Sequence, residues 1–315
     1  MAKRTKSSYV GVNDAGRITG HRVTDTDRTR LLNLARWHAL SVPQLARLEV
    51  PRNTWYPGRT GLADGEVTDE FVAQCRAVSR RLATYARIAT AGSHSGPWAQ
   101  SVLTHTNEIA WYATLFGATV ADLPWRMKAT ISPHSAAHAM FAADVGLQLE
   151  SFGLRVYSQR EHTTRYLRDG SYLSVDYGSV YETSEGTKIR KEPDVVIPAE
   201  DGASFVAVEA ERDQGRPIST YVEKLVAYDN NPAIFAVWYM CASPATAGRV
   251  ARAVAQVFEG RESPVRIRVA PQIVSSDGKY RWRGFAGLGS DGQLLADLGR
   301  AQPSMMRAAP AAGRT

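Results

Sequence analysis

Cysteine is scarce: there are two in 315 residues, Cys75 and Cys241, far apart and each flanked by apolar neighbours. That excludes a disulfide framework and a cysteine-based zinc site, and both read as small buried hydrophobes. Long apolar runs are missing too, since no window approaches the ~20 residues that a bilayer span needs. The opening Met1-Ala2-Lys3-Arg4-Thr5-Lys6-Ser7-Ser8 lacks the apolar stretch of a secretory signal, so a cytoplasmic protein with no membrane segment is expected. Lysine is sparse, 7 residues against 31 arginines. The preference suits bidentate contacts with phosphate and guanine, although a GC-rich genome would favour arginine codons regardless.

What is present is a net charge of +7, and it is unevenly spread. Residues 1–130 hold 17 Lys+Arg and 10 Asp+Glu, whereas residues 131–315 hold 21 of each. The whole excess lies in the N-terminal part, as in a polyanion-binding module joined to something else; a solvated basic surface is the plainer alternative. The length suggests about two domains.

Residues 1–21 are rich in Gly, Ser, Thr and basic residues and read as a flexible arm. Thr24 or Asp25 then caps a helix of about twelve residues with Leu31, Leu34, Ala35 and His38 on one face. Ser41-Val42-Pro43 opens a second helix through Leu48. A third starts at Thr68 or Asp69 with Phe71, Cys75, Val78 and Leu82 as its apolar stripe; Arg76, Arg80 and Arg81 lie off that stripe, with Arg87 just beyond. Tyr85 to Leu103, broken by Gly92, Gly96 and Pro97, fits a two-stranded hairpin, and Thr104 to Phe116, ended by Gly117, reads as a helix. Helix, helix, basic helix, hairpin is the order of a winged helix-turn-helix over residues 22–117. In that arrangement Arg76, Arg80, Arg81 and Arg87 contact DNA. A small helical domain with a wet basic surface is the bland alternative.

Ser132-Pro133 starts a long helix stopped by Gly153, and strands and helices alternate from there: strands at 154–157, 195–197, 205–208, 234–240 and 265–269, helices at 219–230 and 245–258. A polar, Tyr-rich stretch at 163–191 reads as a hairpin or ordered insertion. This describes one three-layer α/β domain over residues 131–290, with a disordered Ala-, Pro- and Gly-rich tail at 301–315.

Asp194 begins one strand, and Glu209 and Glu211 sit two apart at the end of the next, so both glutamates share a sheet face. If the strands pair as neighbours, Asp194 joins them, and like charges so close call for a cation. A hard ion bound through carboxylate oxygens, Mg²⁺ or Mn²⁺, meets that need and would polarise a phosphoryl oxygen and activate water. Lys224, one helix later, can stabilise developing negative charge. The alternative is a pair of exposed glutamates salt-bridged to Arg212 and Arg216.

Pro193-Asp194, Glu209-Ala210-Glu211 after an apolar strand and the helix at 133–152 resemble the PD-(D/E)XK nuclease superfamily. The whole layout over residues 22–270 is similar to the replication-relaxation family of actinobacterial plasmids, phages and integrative elements, a winged helix followed by a nuclease-like domain. Arg80-Arg81-Leu82, Arg160-Glu161, Pro193-Asp194, Val208 to Arg212, and Lys224-Leu225 with Tyr228 carry that likeness. The resemblance implies that Asp194 and Glu209 ligate the metal, that Glu211 adds an oxygen ligand or orients water, and that Glu161 is an additional ligand. The superfamily's tripeptide ends in lysine where this chain has Glu211, so Lys224 would be a displaced catalytic lysine. A metal-dependent endonuclease or nickase acting in replication or transfer follows; a catalytically inactive DNA-binding factor with a degenerate nuclease fold is the alternative. The expected partners are double-stranded DNA, the element's replication or transfer proteins, and a second copy of the chain in a homodimer.

His134 and His138, four apart on a helix, lack a third ligand for zinc. Gly284-Phe285-Ala286-Gly287-Leu288-Gly289 lacks a Walker lysine and reads as a turn-rich terminal strand. Tyr172, Tyr177 and Tyr181 fit a half-buried hairpin better than a base-stacking surface.

Overall fold

The structure, a computed structural model, describes residues 11–12, 18–19, 23–50, 68–88, 96–125, 127, 130–183, 185–212, 215–270, 272–274, 281–284 and 292–304. The chain is mixed α/β and divides into two compact units, Met1–Met140 with Arg168–Gly170, and Phe141–Leu167 with Ser171–Thr315. No helix among the described residues is long and apolar enough to cross a membrane.

In the first unit, β1 (Gly11–Val12) and β2 (Ile18–Thr19) pair antiparallel within the segment expected as an arm. Helix α1 (Asp25–Arg36) is capped by Thr24 in a reciprocal box with Asp27. Helix α2 (Val42–Glu49) repeats the device with Ser41 and Gln44. Helix α3 (Asp69–Arg87), capped by Thr68, buries the expected stripe of Phe71, Cys75, Val78 and Leu82. His38, expected on the α1 stripe, lies beyond that helix at φ 64°.

The hairpin differs from expectation in position. Tyr85 belongs to α3, and the segment expected as a helix at 104–116 supplies a turn and a strand instead: β3 (Ala99–Leu103) pairs antiparallel with β4 (Ile109–Ala113). Asn107 adopts φ 57° and Thr104 accepts from the Glu108 N–H through its hydroxyl at 3.1 Å, which turns the chain back. Ala110 and Tyr112 are then buried while Ile109 is exposed, a period of two rather than 3.6. Gly117 does not end a helix but lies inside the short α4 (Leu115–Val120), where a Cβ would collide with the Trp98 carbonyl.

Asp27 ties α3 to α1. Beyond the cap, its Oδ1 accepts from Arg81 Nε at 2.9 Å and Nη2 at 2.7 Å, and from the Tyr85 hydroxyl. Glu49 on α2 likewise accepts from Arg30 and, at 2.6 Å, from Gln74 of α3.

The boundary between units falls inside α5 (Pro133–Ser151), later than the expected start at residue 131. The second unit continues with β5 (Tyr157–Ser158), α6 (Gln159–Thr164), the hairpin β6 (Ser179–Glu182) and β7 (Lys188–Lys191), then β8 (Val195–Pro198) and β9 (Phe205–Glu211). After these come α7 (Ile218–Asp229), β10 (Ile234–Cys241), α8 (Pro244–Val257), β11 (Val265–Val269), the pair β12 (Gln272–Val274) and β13 (Arg281–Arg283), and α9 (Gly292–Ala301). Five strands form one sheet in the order β11-β10-β9-β8-β5, parallel from β9 to β11 and antiparallel from β9 to β5. Tyr221, Leu225 and Tyr228 of α7 and Val250 and Ala253 of α8 cover one face, joining Val196, Ala207, Val237 and Tyr239 in one apolar cluster. On the other face Trp238 donates to Asp297 of α9 at 3.0 Å.

Ala301 and Gln302, expected to open a disordered tail, are ordered instead. Ala301 is buried in α9, and Gln302, 1% exposed, donates to the carbonyls of Arg155 at 2.9 Å and Pro198 at 2.8 Å. Residues 305–315 lie outside the described residues.

Burial alone would raise the Asp27 pKa, but hydrogen bonds from Tyr85, Arg81 and Thr24 outweigh it and hold the carboxyl at about 2 against an ordinary 3.8. Its contribution to stability is therefore complete above pH 3.8 and lost as the pH falls toward 2. Asp27→Ala should cost about 3 kcal/mol in urea unfolding at neutral pH, because it strands the Arg81 guanidinium, and the gap from wild type should narrow over that acid window.

Candidate active site

Val195 lies opposite Val208 and Val196 opposite Ala207, so Asp194, one step before β8, comes level with Glu209 on β9. The Asp194 N–H donates to the Val208 carbonyl at 3.1 Å, and its Oδ2 accepts from the Ala210 N–H at 2.8 Å. Across the parallel ladder Tyr239 stands beside Glu209 and Cys241 beside Glu211. The alternation of side chains sets Asp194, Glu209, Glu211, Tyr239 and Cys241 on the face covered by α7. All three carboxylates are buried, at 6%, 2% and 5% exposure, so the exposed-glutamate alternative fails for them.

Lys224 falls three residues after Tyr221 and four before Tyr228, on the stripe that α7 turns toward the sheet. Its Nζ donates to Glu209 Oε2, and the Tyr228 hydroxyl donates to Oε1. Glu211 Oε2 accepts from Arg216 Nη1 at 2.8 Å, one of the two pairings weighed from the sequence. Burial pushes the Glu209 carboxyl up to about 7 against the pull of Lys224. Burial opposes charge on Lys224 as well, but Glu209 and Asp194 outweigh it and hold the ammonium above its ordinary value. Burial drives the Cys241 thiol up to about 12, which leaves it inert as a nucleophile and matches the reading of both cysteines as buried apolar residues.

Asp194, Glu209, Glu211 and Lys224 are thus brought to one face, but each carboxylate has taken a protein donor. Among the described residues no group of three His, Cys, Asp or Glu side chains forms a ready metal site. Glu161 is engaged elsewhere: it caps α6, its Oε2 accepting from the Ser158 N–H at 2.9 Å and the Ser158 hydroxyl at 3.1 Å. His162, which no sequence pattern singled out, contacts the Pro193 carbonyl through Nε2 at 2.8 Å and so steadies the peptide before Asp194. His134 stacks on His105, ring centroids 5.4 Å apart. Residues 285–289 of the glycine-rich segment lie outside the described residues.

Of the four arginines expected to contact DNA, Arg76, Arg80 and Arg87 are exposed and, at i, i+4 and i+11, lie within about 40° of the α3 circumference. Arg81 is corrected: it turns inward to Asp27, because a buried carboxylate at that site needs a cation.

A folded pKa above the unfolded one means that stability is fully present below pH 4.5 and falls as the pH rises through about 7. The wild-type stability relative to Glu209→Gln should therefore decline over that window, by about 3 kcal/mol at most, in urea unfolding followed by tryptophan fluorescence. An unchanged difference between pH 4.5 and 7.5 would show that Glu209 titrates normally. Comparison with protein-family models, curated proteins and solved structures finds no match to this chain.

Proposed function

We propose that this chain binds double-stranded DNA through a winged helix and hydrolyses phosphodiester bonds with Mg²⁺ or Mn²⁺, as an endonuclease or nickase serving replication or transfer of a mobile element. In this reading α1 to α3 with the β3–β4 hairpin form the winged helix, and the five-stranded sheet with α7 and α8 forms a PD-(D/E)XK core. One observation carries it: Asp194 and Glu209 come level on neighbouring strands while Lys224 reaches Glu209 from the next helix. The donor set is all carboxylate oxygen, which fits a hard divalent cation held by Asp194 and Glu209, with Glu211 beside them. The ion, when bound, supplies Lewis-acid polarisation and a water of lowered pKa. Lys224, released from Glu209, keeps its proton on Nζ and offers it as a hydrogen bond to an anionic phosphate oxygen.

Supercoiled and branched DNA incubated with Mg²⁺ or Mn²⁺ should be nicked or cut by wild type, and Glu209→Ala should lose cleavage while keeping DNA affinity. A second reading is favoured by the two protein donors on Glu209 and its 2% exposure. A DNA-binding factor with a degenerate nuclease fold would bind without cutting under any of these conditions.

The exposed arginines generate a separate expectation. Removing Arg76, Arg80 and Arg87 should lower the slope of log K against log salt by about one unit each. Arg81→Ala should leave that slope nearly unchanged and lower stability instead. Equal slopes in wild type and the triple variant would remove α3 from the interface.

A further inference from the structure

Tyr239 is fully buried, stands opposite Glu209 and meets Tyr221 edge-on with ring centroids 6.3 Å apart. Its hydroxyl has no hydrogen-bond partner among the described residues. Leaving such a group unsatisfied is costly, and a phenylalanine would fill the same space without that cost. Glu209 accepts from Lys224 and Tyr228 but not from Tyr239, and its two oxygens keep lone pairs beyond those two bonds. Burial, Glu209, Glu211 and Asp194 together drive the phenol well above its ordinary pKa, so it stays a neutral O–H at neutral pH. A phenol both donates and accepts, so it can bridge a carboxylate and a cation-bound water. We propose that Tyr239 is a positioning residue of this site, its hydroxyl holding a water of a divalent cation's hydration shell against Glu209 and Glu211.

The proposal rests on the metal-dependent reading of the site, and metal affinity tests it apart from cleavage. Mn²⁺ is titrated into the full chain by calorimetry, and Tb³⁺, a hard oxygen-seeking ion, by tyrosine-sensitised emission. Wild type should bind both ions, with Mg²⁺ displacing Tb³⁺. Tyr239→Phe should weaken Mn²⁺ roughly tenfold, as loss of an outer-shell partner does, with no loss of thermal stability. Equal Mn²⁺ affinity in Tyr239→Phe overturns the proposal and leaves the metal reading intact. Absence of any cation binding by wild type overturns the metal reading and the proposal with it. A measurement on the intact side chain does not depend on the variant folding. With 3-fluorotyrosine placed at position 239 alone, the fluorine resonance should shift on adding Mg²⁺, and a resonance that stays fixed rejects the role.

Discussion

A carboxylate buried on the covered face of a β-sheet has to be met by donors, and Glu209 imposes that condition on the second unit. An unpaired ion there would cost several kcal/mol. Lys224 and Tyr228, four apart on α7, answer it together, and they share a stripe with Tyr221 and Leu225. Turning α7 by one residue, about 100°, would withdraw both donors and expose the apolar side chains at the same time. Packing and electrostatics therefore select one rotational setting of the helix. Asp194 adds a lateral constraint, because its bond to the Ala210 N–H keeps β8 level with β9.

The same rule organises the first unit and divides its arginines. Asp27 and Glu49 are both intrahelical carboxylates that draw a guanidinium inward, Arg81 to one and Arg30 to the other. The excess of residues 1–130 already counts both acids, so these pairs do not change the balance; they decide which arginines face outward. Arg76, Arg80 and Arg87 stay on the outer face of α3, separated from Arg81 by helical phase rather than by sequence distance.

Local signals were legible: Thr24, Ser41, Thr68 and Ser132 sit at helix starts, the α3 stripe is buried, and Glu209 and Glu211 share a face as their spacing requires. Asp194 joined them because the two strands are neighbours, a condition the sequence could state but not decide. Signals that depend on distant partners were not legible. Arg81 meets an aspartate 54 residues away, and Gln302 holds a backbone carbonyl 147 residues away. No window of sequence contains both members of such a pair. The β4 segment misled for a different reason: Ile109, Trp111, Tyr112 and Leu115 satisfy helical spacing loosely, and only the turn at Asn107 shows that the chain is extended. Lys224 did leave a trace, as a charged residue on an otherwise apolar helical stripe.

Charge balance around the carboxylates bears on what the site can accept. Asp194, Glu209 and Glu211 carry three negative charges when ionised, and Lys224 and Arg216 return two positive ones. The cluster is left with one negative charge, which would repel a phosphodiester. A divalent cation reverses the sign, leaving one positive charge to meet that anion, and it also relieves the mutual repulsion that buried carboxylates otherwise suffer. Had position 211 been lysine, the protein alone would have reached a net positive charge with Lys224 and Arg216 in place, and the site would attract phosphate without any ion. Under the proposed reading, glutamate at 211 would make attraction of an anionic backbone conditional on a cation, and Arg216, which donates to Glu211 at 2.8 Å, would have to share that carboxylate with the ion.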